Sequence, residues 1–173
     1  MKKFLILTTI LALLTCCLTA YAQGTIDKTG AEDIALEAAG VTRENAQLSP
    51  TESDTENGER VWEVEFTADG REFDYQISAS DGGIVEYSWE VIAPAAQDAS
   101  SAVIGEAAAQ EIALAEAAFA EDVNVTVLQN RQETDDGLRL YKLVFEADNT
   151  RYEYEIDAVS GEILEKDVSA DGK

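Results

Sequence analysis

One hydrophobic pattern occurs twice in this sequence, and no other feature limits the possible folds as much. Residues 61–66 (VWEVEF) correspond to residues 140–145 (LYKLVF) at a spacing of 79 residues. Further upstream, residues 34–36 and 112–114 carry the same Ile-Ala-Leu triplet at a spacing of 78 residues. Self-similarity at a nearly constant period indicates one supersecondary unit that has been duplicated.

The repeat divides the chain into two tandem modules, at residues 26–92 and 104–168. Residues 93–103 between them are mostly small or polar and include a proline, a composition typical of a linker. Each module has roughly 65 residues, which is near the lower limit for an independent hydrophobic core. We therefore expect the two modules to pack against each other.

Each module begins with a helix and continues with strands. Asp27 or Thr29 is expected to cap the first helix, and Gly40 to end it. The first helix is predicted from apolar residues at helical spacing: Ala31, Ile34, Ala35, Ala38 and Val41. The corresponding stripe of the second helix is Ile104, Ala108, Ile112, Ala115 and Phe119.

The remainder of each module alternates apolar and polar residues with a period of two, which predicts half-buried strands. Hairpin turns are indicated at 69–70 and 148–149. The last strand of each copy is predicted at 84–91 and 163–168, and an earlier strand at 46–52 and 123–133. The predicted fold class is α+β, with each module placing one helix on a three- to four-stranded antiparallel sheet.

The first 22 residues have the features of a signal peptide. Lys2 and Lys3 precede an apolar run over residues 4–14, and Ala20 and Ala22 form a small-residue cleavage site. We expect cleavage after Ala22 and a secreted or otherwise extracytoplasmic protein. The apolar run is too short for a confident membrane span. The alternative is a lipid anchor through Cys16 or Cys17.

The chain is strongly acidic. Its 12 Lys and Arg face 35 Asp and Glu, a formal net charge of −23. Such a charge repels nucleic-acid phosphates and anionic membranes, so we expect neither as a partner. It favours solubility, basic partners and weak cation binding.

No catalytic residues are predicted. The sequence has no histidine, which excludes Ser-His-Asp and Cys-His machinery and histidine zinc sites. Acidic residues such as Glu63 and Asp74 alternate with core positions, so we expect them on a wet sheet face. Residues 167–172 resemble the start of a calcium loop but lack its closing glutamate. We predict no cofactor and no metal site.

The closing segment 154–164 (YEIDAVSGEIL) resembles the PepSY family, as do Ile26, Ala31 and Ile34 at the start of the first helix. Ser78 departs from the family pattern where the second copy has Asp157. The resemblance implies an extracytoplasmic module that binds and restrains peptidases, with no catalytic residue set. Asp157 itself is expected to accept backbone N–H groups at the turn before Gly161.

Tyr87 and Trp89 are the predicted binding residues, because the final strand of each module is expected to be a sheet edge. Trp62, Tyr75, Tyr141 and Tyr154 are expected in the core instead. The leading hypothesis is a non-enzymatic module that binds a protein partner, a secreted peptidase in particular. The alternative is a structural or sensory protein of the cell envelope without a peptidase partner.

Overall fold

The computed structural model describes residues 25–56, 58–119, 123–135 and 137–170. The predicted signal peptide, with Cys16 and Cys17, lies outside these residues. Within them the elements are α1 (Lys28–Ala39), β1 (Gln47–Leu48), β2 (Glu52–Glu56), β3 (Glu59–Ala68), β4 (Arg71–Ser78), β5 (Ile84–Val91), α2 (Glu106–Ala117), β6 (Val125–Asp135), β7 (Leu138–Ala147), β8 (Thr150–Asp157) and β9 (Ile163–Ala170). In the described part of the chain, neither helix has the length and apolar character to cross a bilayer.

Helix α1 has the predicted ends. The Asp27 side chain accepts a hydrogen bond from the Gly30 backbone N–H at 2.9 Å, so Asp27 and not Thr29 caps the helix. Gly40 closes it in the left-handed conformation, with φ of 70°. Glycine adopts this conformation without the steric cost that a Cβ atom brings. Local sequence signals thus determine where α1 begins and ends.

The predicted stripe of α2 is confirmed in part: Ile104, Ile112 and Phe119 pack against the second core, but the fully buried residues of the helix are others. Ala109 and Ala113 are fully buried, whereas Ala115, which was predicted to face the sheet, is exposed. Ala109 and Ala113 are the counterparts of Ala31 and Ala35 in the first copy. Because alanine occurs on every side of this helix, its apolar period alone did not define the buried face.

The two modules share one antiparallel sheet of nine strands, counted within the described residues. The strand order is β1-β3-β4-β5-β9-β8-β7-β6, and β2 also pairs with β3. The final strands β5 and β9 therefore pair with each other at the centre of the sheet. The prediction that these strands are sheet edges is wrong. As sheet edges, each of these strands would expose unpaired backbone N–H and C=O groups, and the pairing of β5 with β9 supplies their hydrogen-bond partners.

The pairing of β5 with β9 relates the modules by a pseudo-two-fold axis. Ser88 lies opposite Asp167, and these two residues occupy equivalent positions of the repeat. On either side, Tyr87 lies opposite Val168 and Trp89 lies opposite Lys166. The fold thus has the symmetry of a dimer within one polypeptide.

The early strands differ between the copies. The predicted strand 46–52 is two short strands, β1 and β2, separated near Pro50. Proline has no backbone N–H and cannot donate to a continuous ladder. In the second copy β6 runs unbroken over 11 residues, with an irregularity in register between Val127 and Gln129.

Both hydrophobic cores lie on the same face of the sheet, under the helices. The first includes Phe66 and Phe73, whose rings stack at 4.9 Å, and the second includes Phe145 and Tyr154, at 5.7 Å. Ile163 packs against both cores. Trp62, Tyr75, Tyr141 and Tyr154 are core residues, as predicted, and the Trp62 indole donates to the Ile26 carbonyl.

The connection between the modules is fastened to the second one. The Gln97 side chain both donates to the Arg139 carbonyl at 2.7 Å and accepts from the Arg139 N–H at 2.9 Å. The Arg139 guanidinium donates in turn to the carbonyls of Asp98 and Ser101. The predicted linker is therefore docked on the second module through Arg139.

A candidate binding groove between the helices

The helices leave the centre of the sheet uncovered. Helix α1 packs on β3 and β4, and α2 packs on β6 and β7. Between them a cavity of about 440 Å³ lies over β4, β5 and β9, and we call it the central groove. Ala38 and Ala39 from α1 and Glu116 from α2 form its walls. Its volume is within the range of ordinary ligand pockets.

Aromatic rings make up most of the floor of the central groove. Tyr87 stacks on Tyr75 with 5.5 Å between ring centroids, and Trp89 lies beside them, 9% exposed. Burial, followed by the neighbouring Tyr87, raises the pKa of Tyr75 to about 12, so its hydroxyl remains protonated. Tyr87 and Trp89 are thus brought together, on the floor of a groove and not along a sheet edge.

Two cations border these rings. The Arg71 guanidinium carbon lies 4.1 Å above the Trp89 ring. The Lys166 ammonium lies 5.6 Å from the Tyr87 ring centroid and 3.7 Å from a Glu116 carboxylate oxygen. Cations at such distances from ring faces are attracted by the aromatic quadrupole. Sequence reasoning missed both residues. Lys166 could not be found, because only the β5–β9 pairing brings the second module's lysine beside the first module's aromatic rings.

A buried hydroxyl without a partner lies next to this cluster. Tyr154 is fully buried, and its hydroxyl has no hydrogen-bond partner among the described residues. Burial raises the pKa of Tyr154, and the nearby Tyr87 and Glu116 raise it further. A buried polar group without a partner is uncommon in native proteins and calls for a physical explanation.

The central groove continues around the end of α1. A second cavity of about 420 Å³ shares Ala39, Arg71 and Phe73 with it and extends to the hairpin turn at Asp69–Gly70. Arg71 stands where the two cavities meet. Together the two cavities form a continuous groove that is longer than a single small ligand would occupy.

The opposite face of the sheet is acidic, as predicted. One row of side chains across four neighbouring strands consists of Glu72, Glu90, Glu165 and Glu155. Burial, followed by Glu155, raises the pKa of Glu165, and burial followed by Glu65 raises that of Asp74. These carboxylates repel one another across the strands.

The acidic residues do not form a metal site in the described part of the chain, where no three potential ligands cluster suitably. Asp167, the first residue of the calcium-loop resemblance, lies within β9. Asp171 and Gly172 of the same segment lie outside the described residues.

Asp157 performs the structural task expected of it. Its carboxylate accepts the backbone N–H groups of Val159 and Ser160 at 2.7 and 2.8 Å. Burial acts to raise its pKa, but these bonds and one to Gln97 outweigh burial, so the pKa is lowered. In the first copy, Ser78 accepts from the Ser80 N–H over a longer 3.3 Å.

The architecture defines a class: a duplicated α+β protein whose two helices flank a groove on one shared antiparallel sheet. The model of the family described as "Peptidase propeptide and YPEB domain" (PepSY) matches residues 25–87 and 103–167. The two matches cover more than half of the chain, one in each copy. The chain belongs to the PepSY family.

Similar proteins match about a third to most of the chain. The protein Spy1430 of Streptococcus pyogenes serotype M6 is 44% identical over 62 residues, which cover 36% of this chain and 48% of that protein. The chain thus spans about half the length of this relative. YkoJ of Bacillus subtilis is 25% identical over 133 residues, 76% of this chain and 71% of that protein. A structure of CD1622 from Clostridium difficile 630 is 18% identical and covers 87% of this chain and 98% of that one, at a TM-score of 0.36.

Proposed function

We propose that this chain is an extracytoplasmic, non-enzymatic binding module that restrains a secreted peptidase. The observation that carries the proposal is the aromatic-floored central groove, which exists only where the two modules join. It presents Tyr87 beside Arg71 and Lys166 to a partner. Aromatic residues and arginine are the side chains that most often dominate protein interfaces.

The family match supports a peptidase as the partner, because its description names peptidase propeptides. The chemistry of the chain supports binding and not catalysis. The sequence contains no histidine, and the acidic rows lie on the open sheet face, away from the groove. The net charge of −23 favours a basic partner surface around the groove.

Inhibition assays test this function directly. The mature chain is titrated against a panel of thermolysin-like peptidases, and residual hydrolysis and complex formation are measured. We expect at least one stoichiometric complex with reduced hydrolysis. The absence of both complex and inhibition across the panel would contradict the proposal.

A matched pair of variants locates the contact. Ile84 is 42% exposed and lines the central groove, whereas Ile92 is 55% exposed and lies outside it. We expect Ile84→Ser to weaken inhibition and Ile92→Ser to leave it unchanged. Equal effects would place the contact elsewhere on the protein.

Export by a signal peptide is also part of the proposal. Sequencing the N-terminus of the mature protein distinguishes the two routes. Gln23 as the first residue indicates cleavage after Ala22, and a modified Cys16 or Cys17 indicates a lipid anchor. An unprocessed Met1 in the cell fraction would contradict export.

A further inference from the structure

We infer that the central groove binds an extended peptide that carries a carboxylate next to an aromatic or aliphatic side chain. The inference deepens the proposed function and rests on it for the ligand being a segment of a protein. Arg71 and Lys166 would receive the carboxylate, and the floor of Tyr75 and Tyr87 the apolar side chain. The reasons are the charge, the shape and the polar groups of the groove.

Charge is the first reason. The protein has few cations, yet two of them border one groove in a chain of net charge −23. The Arg71 guanidinium carbon lies over the Trp89 ring, and Arg71 forms no salt bridge among the described residues, so its N–H groups remain available to a ligand. Guanidinium groups bind carboxylates through paired hydrogen bonds. The acidic residues that line the two cavities are Glu116 in the groove and Asp69 and Glu162 in the second cavity. More distant carboxylates matter less, because physiological salt screens charges beyond about 8 Å.

The state of Lys166 is the second reason. Its side chain is only 11% exposed, and its partner Glu116 is 3.7 Å away and 46% exposed. That separation is longer than a well-formed charge-assisted hydrogen bond, so the ammonium is incompletely neutralised. A bound carboxylate would complete its coordination at the bottom of the groove.

The Tyr154 side chain belongs to the surroundings of Lys166. It is fully buried, lacks a hydrogen-bond partner among the described residues, and its ring lies 5.7 Å from the Lys166 ammonium. Tyr154 is not among the residues that line the groove, so it acts through Lys166: its ring, like that of Tyr87, lies beside the ammonium and helps to hold it at the floor.

The shape of the groove favours an extended chain over a compact ligand. The central cavity of about 440 Å³ adjoins the second one of about 420 Å³, and Arg71 lies at the junction. The alanines at the end of α1 keep this path open. A peptide can therefore run past Arg71 with its side chains alternately in the groove and in solvent.

The two tryptophans provide a test with an internal control. Trp89 lies in the groove, whereas the indole N–H of Trp62 donates to Ile26 at 2.9 Å beneath α1. The probe is an N-acetylated, C-amidated octapeptide with a central Phe-Glu-Leu, titrated into the ¹⁵N-labelled full chain. We expect the indole signal of Trp89 to shift with saturation and that of Trp62 to remain in place.

Three further arms establish the chemistry. Replacing the peptide glutamate by glutamine, or the protein residue by Arg71→Gln, should weaken binding about tenfold, the effect of losing one charge-assisted contact. A Phe-Leu peptide with a free C-terminal carboxylate, compared with its amide, shows whether a chain end is preferred as the source. The Trp62 signal verifies that Arg71→Gln remains folded.

The inference is overturned if Trp89 does not respond to any of these peptides, or if the glutamine peptide binds equally well. Failure of the inference is distinguishable from failure of the proposed function. If Arg71→Gln still inhibits a peptidase, the inferred carboxylate recognition is wrong but the proposed function is retained. If the groove binds peptides in a carboxylate-dependent manner but the protein inhibits no peptidase, only the proposed peptidase role is contradicted.

Discussion

The single carboxylate of Asp157 and the hydroxyl of Ser78 occupy the same turn in the two copies, and they hold it unequally. Asp157 accepts two short backbone hydrogen bonds, whereas Ser78 accepts one longer one. Bonds to a charged acceptor are the stronger kind. The second module should therefore depend more on this side chain than the first.

Substitution at these two positions measures the difference. We expect Asp157→Ser to lower the free energy of unfolding by about 1–3 kcal/mol at pH 7, and Ser78→Ala to lower it by about 1 kcal/mol or less. Urea denaturation followed by tryptophan fluorescence gives both values. Equal losses would show that the charge of Asp157 adds nothing.

The effect of Asp157 depends on pH with a defined sign. Its folded pKa lies below its unfolded value of about 3.9, so its stabilisation is present at pH 7 and is lost as pH falls through the folded pKa. The gap in stability between the native chain and Asp157→Ser should therefore narrow below about pH 4. Repeating the denaturation series at falling pH tests this. A gap that stays constant would contradict it.

Among the strands, the carboxylates in the acidic rows of β4, β5, β8 and β9 affect stability with a pH dependence opposite to that of Asp157. Burial, and then Glu153, raises the pKa of Asp167. Burial, and then a neighbouring glutamate, also raises the pKa of Glu165 and that of Asp74. A folded pKa above the unfolded one contributes stability at low pH that is lost as pH rises through the folded value. These carboxylates thus lower the free energy of unfolding at neutral pH.

Neutralising one position in these rows should stabilise the sheet. We expect Asp167→Asn to raise the free energy of unfolding by about 0.2–1 kcal/mol at pH 7. The gain should disappear near pH 3, where the carboxylates are protonated, and shrink in high salt. Thermal unfolding at two pH values and two salt concentrations checks this. The exposed Asp69, in a turn away from the rows, provides the matched control Asp69→Asn.

The strands were the elements most open to prediction from the sequence, since period-two alternation is a local signal. Strand β5 was predicted at the bounds it has, and the turn residues Asp148 and Asn149 take the positive φ angles that their hairpin requires. The stripe of α2 was predicted only in part, because alanines on several sides of that helix hide which of them are buried. The pairing of β5 with β9 could not be predicted either, since a strand that alternates apolar and polar residues has the same local pattern at the edge and at the centre of a sheet.

At the scale of the whole molecule, the groove was unpredictable for the same reason. Tyr87 and Trp89 could be singled out only as aromatic residues of a final strand that was expected to be a sheet edge. Arg71, Glu116 and Lys166 could not be associated with them, because no local pattern links a hairpin, the second helix and the last strand. The duplication, by contrast, was fully visible, and the shared fold of the two halves follows from it.

The pseudo-two-fold arrangement predicts the behaviour of a separated module. Residues 25–92 alone would expose β5, and a second copy could pair with it with Ser88 opposite Ser88. We expect this fragment to form a homodimer, whereas residues 103–170 should associate more weakly because Asp167 would face Asp167. Sedimentation equilibrium measures both masses beside the full chain. A strictly monomeric first fragment would contradict the prediction.

Fusing the two halves of a symmetric pair into one polypeptide frees each half to change alone. The repeat positions equivalent to Arg71 and Lys166 hold Thr150 and Tyr87. A symmetric pair of modules would give a bound polypeptide the same surroundings in both orientations. In this chain the two ends of the groove differ in chemistry. A peptide bound there, as we propose, would therefore be expected to lie in only one of its two possible orientations.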